Sequence, residues 1–287
     1  MVTYNPKDWF SLIIKFHKSD TFRVLLPVLI SVGVYAAIVV ILEVHYFHIE
    51  TKNPTVMHSI LGFVLSMLLV FRTNTAYERW WEGRKVWGSF VNNSRNLALK
   101  VSALLKNEND RSDIKHLITN YVFSTKNHLR DVYNAEEFVS TQGLNTDSFS
   151  KAEHRPNTIA KQLYAKVYGF HTQTQLSNEH LYILNEELKS FTDNCGICER
   201  IKNTPIPYSY SIFLKKMIFL YIITLPLFFA SEFKYATIPI TVIVLYVFAS
   251  IELIAEEIED PFGFDDNDLP LDDICQKIKI NLNEILD

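Results

Sequence analysis

Apolar and polar positions follow two different patterns along this chain, and each predicts its own kind of element. Val24–Leu42 is an apolar run without a single charge, close to the roughly 20 residues a helix needs to cross a hydrocarbon core. Thr55–Phe71 is a second such run, restarted by Pro54. Two more come late, Met217–Ser231, extended by Ile212–Leu214, and Tyr235–Ile251, with a tight turn at Glu232–Lys234 between them. Pro226 and Pro239 fall inside this pair, which membrane helices tolerate when neighbours satisfy the freed carbonyls. The pattern predicts four spans, at about 24–47, 55–75, 212–233 and 235–254.

Between and after these runs the apolar residues return every three or four positions. Val86, Phe90, Leu97, Val101, Leu104 and Leu105 do so directly behind the second span, so that span is predicted to continue as one long helix. The same period predicts helices over Ile114–Val132, Thr158–Tyr168, Ser177–Lys202 and Leu271–Leu286, with loops at Asn107–Arg111 and in the turn-rich Ser140–Asn157. Strand alternation, repeats and low-complexity tracts are not seen. The expected fold is an all-α membrane protein of one domain, 1–287, with a helical part outside the bilayer at about 80–205 and 255–287.

Charge orients this plan. Lys7, Lys15, Lys18 and Arg23, interleaved with Trp9, Phe10 and Phe16, precede the first span and suit an amphipathic lead-in on a membrane surface. Cations are dense again after the second span, but the loop between the two has only Lys52. Positive loops stay inside, so both termini are expected in the cytoplasm. The start of the chain has no short apolar stretch with a small-residue cleavage site, so no signal peptide is expected. A net charge of −4 gives no reason to expect nucleic acid as a partner.

Cys195-Gly-Ile-Cys198 spells C-x-x-C. A zinc site would need a second pair, and a redox motif would need a strand before it, where a helical pattern stands instead. Helix-packing thiols are expected. Phosphate-loop, dinucleotide, serine-elbow and zinc-protease signatures are missing, so no enzyme is expected.

Phe71–Gly88 reads F-R-T-N-T-A-Y-E-R-W-W-E-G-R-K-V-W-G. Cations among tryptophans at the end of an apolar run mark a helix leaving a bilayer. This string resembles the signature of the bestrophin family in its bacterial branch. Cys198–Pro207, C-E-R-I-K-N-T-P-I-P, and Ala255–Leu271, A-E-E-I-E-D-P-F-G-F-D-D-N-D-L-P-L, continue the resemblance in the family order. The resemblance implies a homopentameric ion channel around a central pore lined by the second spans, passing small monovalent ions and needing no cofactor.

Several candidate residues follow. Phe63, Met67 and Phe71 are four apart and share a helix face; by resemblance they form the hydrophobic neck, with Met67 standing where Ile or Phe is more usual. Such a ring gates by dewetting. Gly62 and Ser66, on an adjacent face, allow another helix close approach. Arg79, Trp80 and Trp81 are the expected anchor at the inner interface. Glu252 and Glu256 are read as part of a helix emerging into water. In animal relatives the segment matching Asp260–Asp268 forms a calcium clasp; by position Asp265 and Asp268 would give side-chain ligands, with Glu257 and Asp260 giving carbonyls. The family's cytoplasmic aperture falls near Glu179, or at His180 or Leu181 if the register slips. An acidic ring there tilts the selectivity reading to monovalent cations, sodium first, with a chloride channel of the same architecture as the alternative. A secondary transporter or a membrane-anchored interaction protein are the rivals from other classes.

Overall fold

The computed structural model describes residues 20–47, 54–139 and 149–287, and every regular element of more than one turn among them is a helix. In chain order these are α1 (Asp20–Leu42), continued by a π turn at Glu43–Phe47, α2 (Pro54–Leu104), α3 (Glu108–Leu129), α4 (Arg155–Thr172), α5 (Asn178–Asn203), α6 (Tyr208–Phe233), α7 (Thr237–Glu259) and α8 (Leu271–Leu286). The expected lead-in at Met1–Arg23 falls almost entirely outside the described residues, as does much of the 140–157 loop.

Two compact units divide the chain. One holds the described residues up to Arg79 with Pro205–Glu259; the other holds Trp80–Thr204 and Asp260–Asp287. The single helix α2, 51 residues long, contributes its first half to one and its second half to the other. Three stretches are long and apolar enough to cross a membrane: Thr21–Phe47, Val56–Leu104 and Tyr208–Glu259. The last is broken into α6 and α7 at Lys234, whose φ of 49° ends the first helix. One 3₁₀ turn, Lys234–Ala236, follows, and Thr237 Oγ1 closes it by donating to Phe229 O at 3.1 Å. The expected turn is therefore a helix break, and among the described residues the three stretches comprise the apolar helices α1, α2, α6 and α7.

In the apolar unit, Leu25 and Leu29 of α1, Leu65 and Leu69 of α2, Leu214, Ile218 and Ile222 of α6 and Leu245 of α7 form the buried cluster. The outward positions are apolar too: Val24, Val28, Ile30, Val34 and Ile38 of α1 are exposed. Helices apolar on every side need a nonpolar surrounding.

The other unit is built from amphipathic helices. Trp87 and Phe90 of α2, Tyr121 of α3 and Phe191 of α5 meet in its core, where the Tyr121 hydroxyl donates to Phe191 O at 2.9 Å. Ile274, Cys275, Ile278 and Leu282 bring in α8. Trp87 is fully buried, so it leaves the interfacial aromatic group in which the sequence places it. Helix ends differ from expectation where side chains cap them. Asn107 accepts from Asn109 N–H and starts α3 early, and His154 caps α4 at Arg155, with Pro156 in the first turn. Cys195 and Cys198 lie within α5, both buried; burial pushes the Cys195 thiol up to about 12 and the Cys198 thiol up as well, which suits packing rather than thiolate chemistry.

Candidate functional site

The two faces of α2 in the apolar unit differ sharply. Leu65, Leu69 and Ala76 are buried against the unit, and Gly62 faces Tyr221 of α6, whose hydroxyl would stand 2.9 Å from an added Cβ. Phe63, Met67 and Phe71 point the other way, 66, 45 and 58 % exposed. Their helical spacing holds, and they form an apolar stripe that the other described residues leave uncovered. Ser66 bonds back to Gly62 O, so its hydroxyl adds no free polar group beside the stripe.

Directly after Phe71 the helix turns a cation inward. Arg72 is 2 % exposed. Its Nη2 lies 2.7 Å from Glu259 Oε2, and its Nε lies 3.5 Å from Glu252 Oε2. Glu252 and Glu259 are seven residues, two turns, apart on α7, so both reach one side. Glu259 also accepts from Ile206 N–H at 2.6 Å, and its carbonyl accepts from Arg79 Nε at 3.1 Å. Lys215 pairs with Glu256 at 2.9 Å. The expectation that Glu252 emerges into water is thus corrected: it is 5 % exposed and faces Arg72. A desolvated guanidinium demands such partners, and sequence reasoning missed it by grouping Arg72 with the interfacial cations. An Arg at the foot of an apolar run with two acids seven apart in a later one was the available signal.

Trp80 donates its indole N–H to Asn267 O at 2.9 Å and lies beside Trp81, with ring centroids 6.5 Å apart. It therefore holds the 260–270 loop, and of the two tryptophans Trp81 is the more exposed, at 47 %. Gly83 allows Phe262 and Pro261 against α2; a Cβ there would meet them at 3.1–3.2 Å. Within the loop, Asp268 is 1 % exposed and its Oδ2 accepts from Asp265 N–H at 2.7 Å, while its Oδ1 is buried without a partner. Burial pushes the Asp268 carboxyl up to about 6. Asp265 and Asp268 line a cavity of about 220 Å³ that Arg130 also lines. Arg130 donates to Phe262 O and to Asp272. Calcium takes six to eight oxygens. Here Asp268 Oδ2 is already engaged within the turn, and Arg130 lines the same cavity, a fixed cation that works against a second one there. Asp260 is exposed at the start of the loop, and Glu257 lies in the last turns of α7.

The three aperture candidates have different roles in α5. Ser177 caps the helix, with His180 N–H donating to the Ser177 hydroxyl and His180 Nδ1 accepting from Ser177 N–H, both at 3.3 Å. Leu181 packs against the core. Glu179 alone is fully exposed, and the Ser177 hydroxyl holds its carboxylate below the usual range. Next to them, Tyr182 and Ile183 are exposed apolar residues, at 81 and 46 %.

A helical protein with several helices long and apolar enough to cross a membrane, an exposed apolar stripe and a buried charge cluster at its foot belongs among integral membrane proteins. The family follows from comparison: the chain belongs to the bacterial and fungal bestrophin proteins, whose family model matches residues 1–284. A voltage-dependent anion channel-forming protein of Nostoc sp. is 33 % identical, over 99 % of this chain and 94 % of that protein. One of the same description from Escherichia coli K12 is 31 % identical, over 100 % of this chain and 94 % of that protein. A solved structure of a bacterial bestrophin homologue from Klebsiella pneumoniae shares the fold with a TM-score of 0.83 at 24 % identity, covering 91 % of this chain and 98 % of that one. Membership identifies the chain as an ion channel and not an enzyme.

Proposed function

We propose that the protein forms a homopentameric channel in a bacterial inner membrane, with both termini in the cytoplasm, conducting small anions such as chloride passively. The uncovered stripe Phe63–Met67–Phe71 carries the reading. An apolar face on a helix whose other side is already packed needs lipid or another copy against it, and five copies meeting there make a hydrophobic neck. Phe63 and Phe71 are rigid rings, while Met67 is flexible, which makes the middle of the neck the softest ring.

The lean to sodium drawn from Glu179 gives way to the anion alternative. The relatives at 30 % identity and above bear the name of anion channels, and at the α5 terminus one exposed acid stands beside a histidine cap and apolar residues rather than in an acidic cluster. Planar bilayer recording of purified protein under a potassium chloride gradient tests the reading. A reversal potential near the chloride equilibrium value is expected; one near the potassium value, or the absence of current, overturns it. Mass measurement in detergent tests the pentamer separately.

A further inference from the structure

Away from the apolar stripe, three side chains from three elements converge in the amphipathic unit. His128 lies in the last turn of α3, His154 caps α4 and Glu199 lies on α5. Their donor atoms lie within 4.8 Å of one another. His128 Nε2 and His154 Nε2 each stand 2.7 Å from the same oxygen, Glu199 Oε1. The two rings lie 4.6 Å apart, inclined by 30°. The side chains are 26, 32 and 28 % exposed, so the group opens to solvent without being loose on the surface. None of the three belongs to the neck, the Arg72 cluster or the acidic loop.

We propose that His128, His154 and Glu199 form a binding site for a borderline-soft divalent metal, zinc above all. Two imidazoles and one carboxylate are a zinc donor set that leaves a fourth position for water or another ligand. Ligand atoms around tetrahedral zinc stand ~3.3 Å apart for bonds of about 2.0 Å. The two 2.7 Å contacts therefore need to open by only about half an ångström, within reach of side-chain rotation at a partly exposed site. Oxygen-seeking calcium and magnesium are disfavoured, since two of the three donors are nitrogens.

The second nitrogen of His154 sets the condition for binding. Its Nδ1 accepts from Asn157 N–H at 3.2 Å, so the neutral ring has its proton on Nε2, aimed at Glu199. Zinc takes the place of that proton; the proton moves to Nδ1, and the Asn157 amide gives up its acceptor. His128 undergoes the same exchange of tautomer, so no net proton need leave the protein. The site thus ties α3, α4 and α5 together at the expense of one capping bond in the first turn of α4.

The test is calorimetric titration of tag-free, chelator-stripped protein in detergent with zinc chloride, repeated with His154→Ala, His128→Ala and Glu199→Gln. One zinc per chain is expected, with affinity at least ~10-fold weaker in each variant; His171→Ala, outside the group, keeps the full affinity. Cobalt(II) added in place of zinc is expected to give the visible absorption of a four- or five-coordinate site, lost in the His128→Ala/His154→Ala pair. Glu199→Gln preserves an acceptor for both rings, so it remains informative if an alanine variant does not fold. Failure of the unaltered chain to take up zinc, or equal uptake by the folded variants, overturns the site.

Discussion

Arg72 and Glu259, 187 positions apart in the chain, meet through Nη2 and Oε2 at 2.7 Å, with side chains only 2 and 13 % exposed. The same guanidinium has Glu252 Oε2 at 3.5 Å, and both Glu252 carboxylate oxygens lack a hydrogen-bond partner. A buried cluster of one cation and two acids costs desolvation, which its attraction offsets only with good geometry. Here the good geometry lies with Glu259.

The two acids should therefore behave differently. Glu259→Gln breaks the short pair and the Ile206 bond, and is expected to lower unfolding stability by about 3 kcal/mol. Glu252→Gln removes a poorly partnered buried charge and is expected to cost far less. Thermal unfolding in detergent followed by intrinsic fluorescence reads both. Equal losses would mean that the cluster shares its charge evenly, contrary to the distances.

Replacing Phe63, Met67 and Phe71 together by alanine is expected to raise single-channel current severalfold, because a wider, shorter apolar ring is easier to wet. All three are exposed in the single chain, so the substitutions leave its buried core untouched. An unchanged current would remove these residues from the pore.

Asp268 ties stability to pH. Its carboxyl is raised mainly by burial, and further by Asp265 and Asp260, against the opposing pull of the Asp265 amide. A folded-state pKa above the unfolded one means that the folded chain holds the proton more tightly. Its contribution is fully present below about pH 4 and is lost as pH rises through about 6. Asp268→Asn retains an acceptor for Asp265 N–H and removes the charge. It is expected to stabilise the protein at pH 7.5 by on the order of 2 kcal/mol, and to give little at pH 4. Melting curves across that range decide the matter; a gain independent of pH would exclude the carboxylate as the cause.

Gly83→Ala and Gly62→Ala form a contrasting pair. At Gly83 the new methyl meets the Phe262 ring and the Pro261 ring, neither of which yields easily, so a loss of about 1–3 kcal/mol is expected. At Gly62 it meets the far end of Tyr221, which can swing aside, so the loss is smaller. Limited proteolysis within 260–270 should increase for Gly83→Ala alone; no difference between the two variants would contradict the packing.

Much of this protein was legible before its structure. Val24–Leu42 and Thr55–Phe71 announce their helices by hydropathy, because a segment that must leave water needs a continuous apolar surface and internally satisfied backbone bonds. The long reach of α2 followed from the period of Val86, Phe90 and Leu97, and Phe63, Met67 and Phe71 shared a face by spacing alone. Calcium at Asp265 and Asp268 was implied by the resemblance; acidity is visible in sequence, but which oxygens the turn itself engages is not.

Sequence by itself determined which segments are helical, which are apolar on all sides, and to which family the chain belongs, since these depend on local periodicity and on contiguous strings. Tertiary structure alone decided that Arg72 is buried against α7, that Trp80 holds Asn267, and that His128, His154 and Glu199 meet. Each of those relationships joins residues far apart in the chain, and a charge, an indole or an imidazole has the same local signature whether it faces water, lipid or a partner. Only the packing of one helix on another selects among the three.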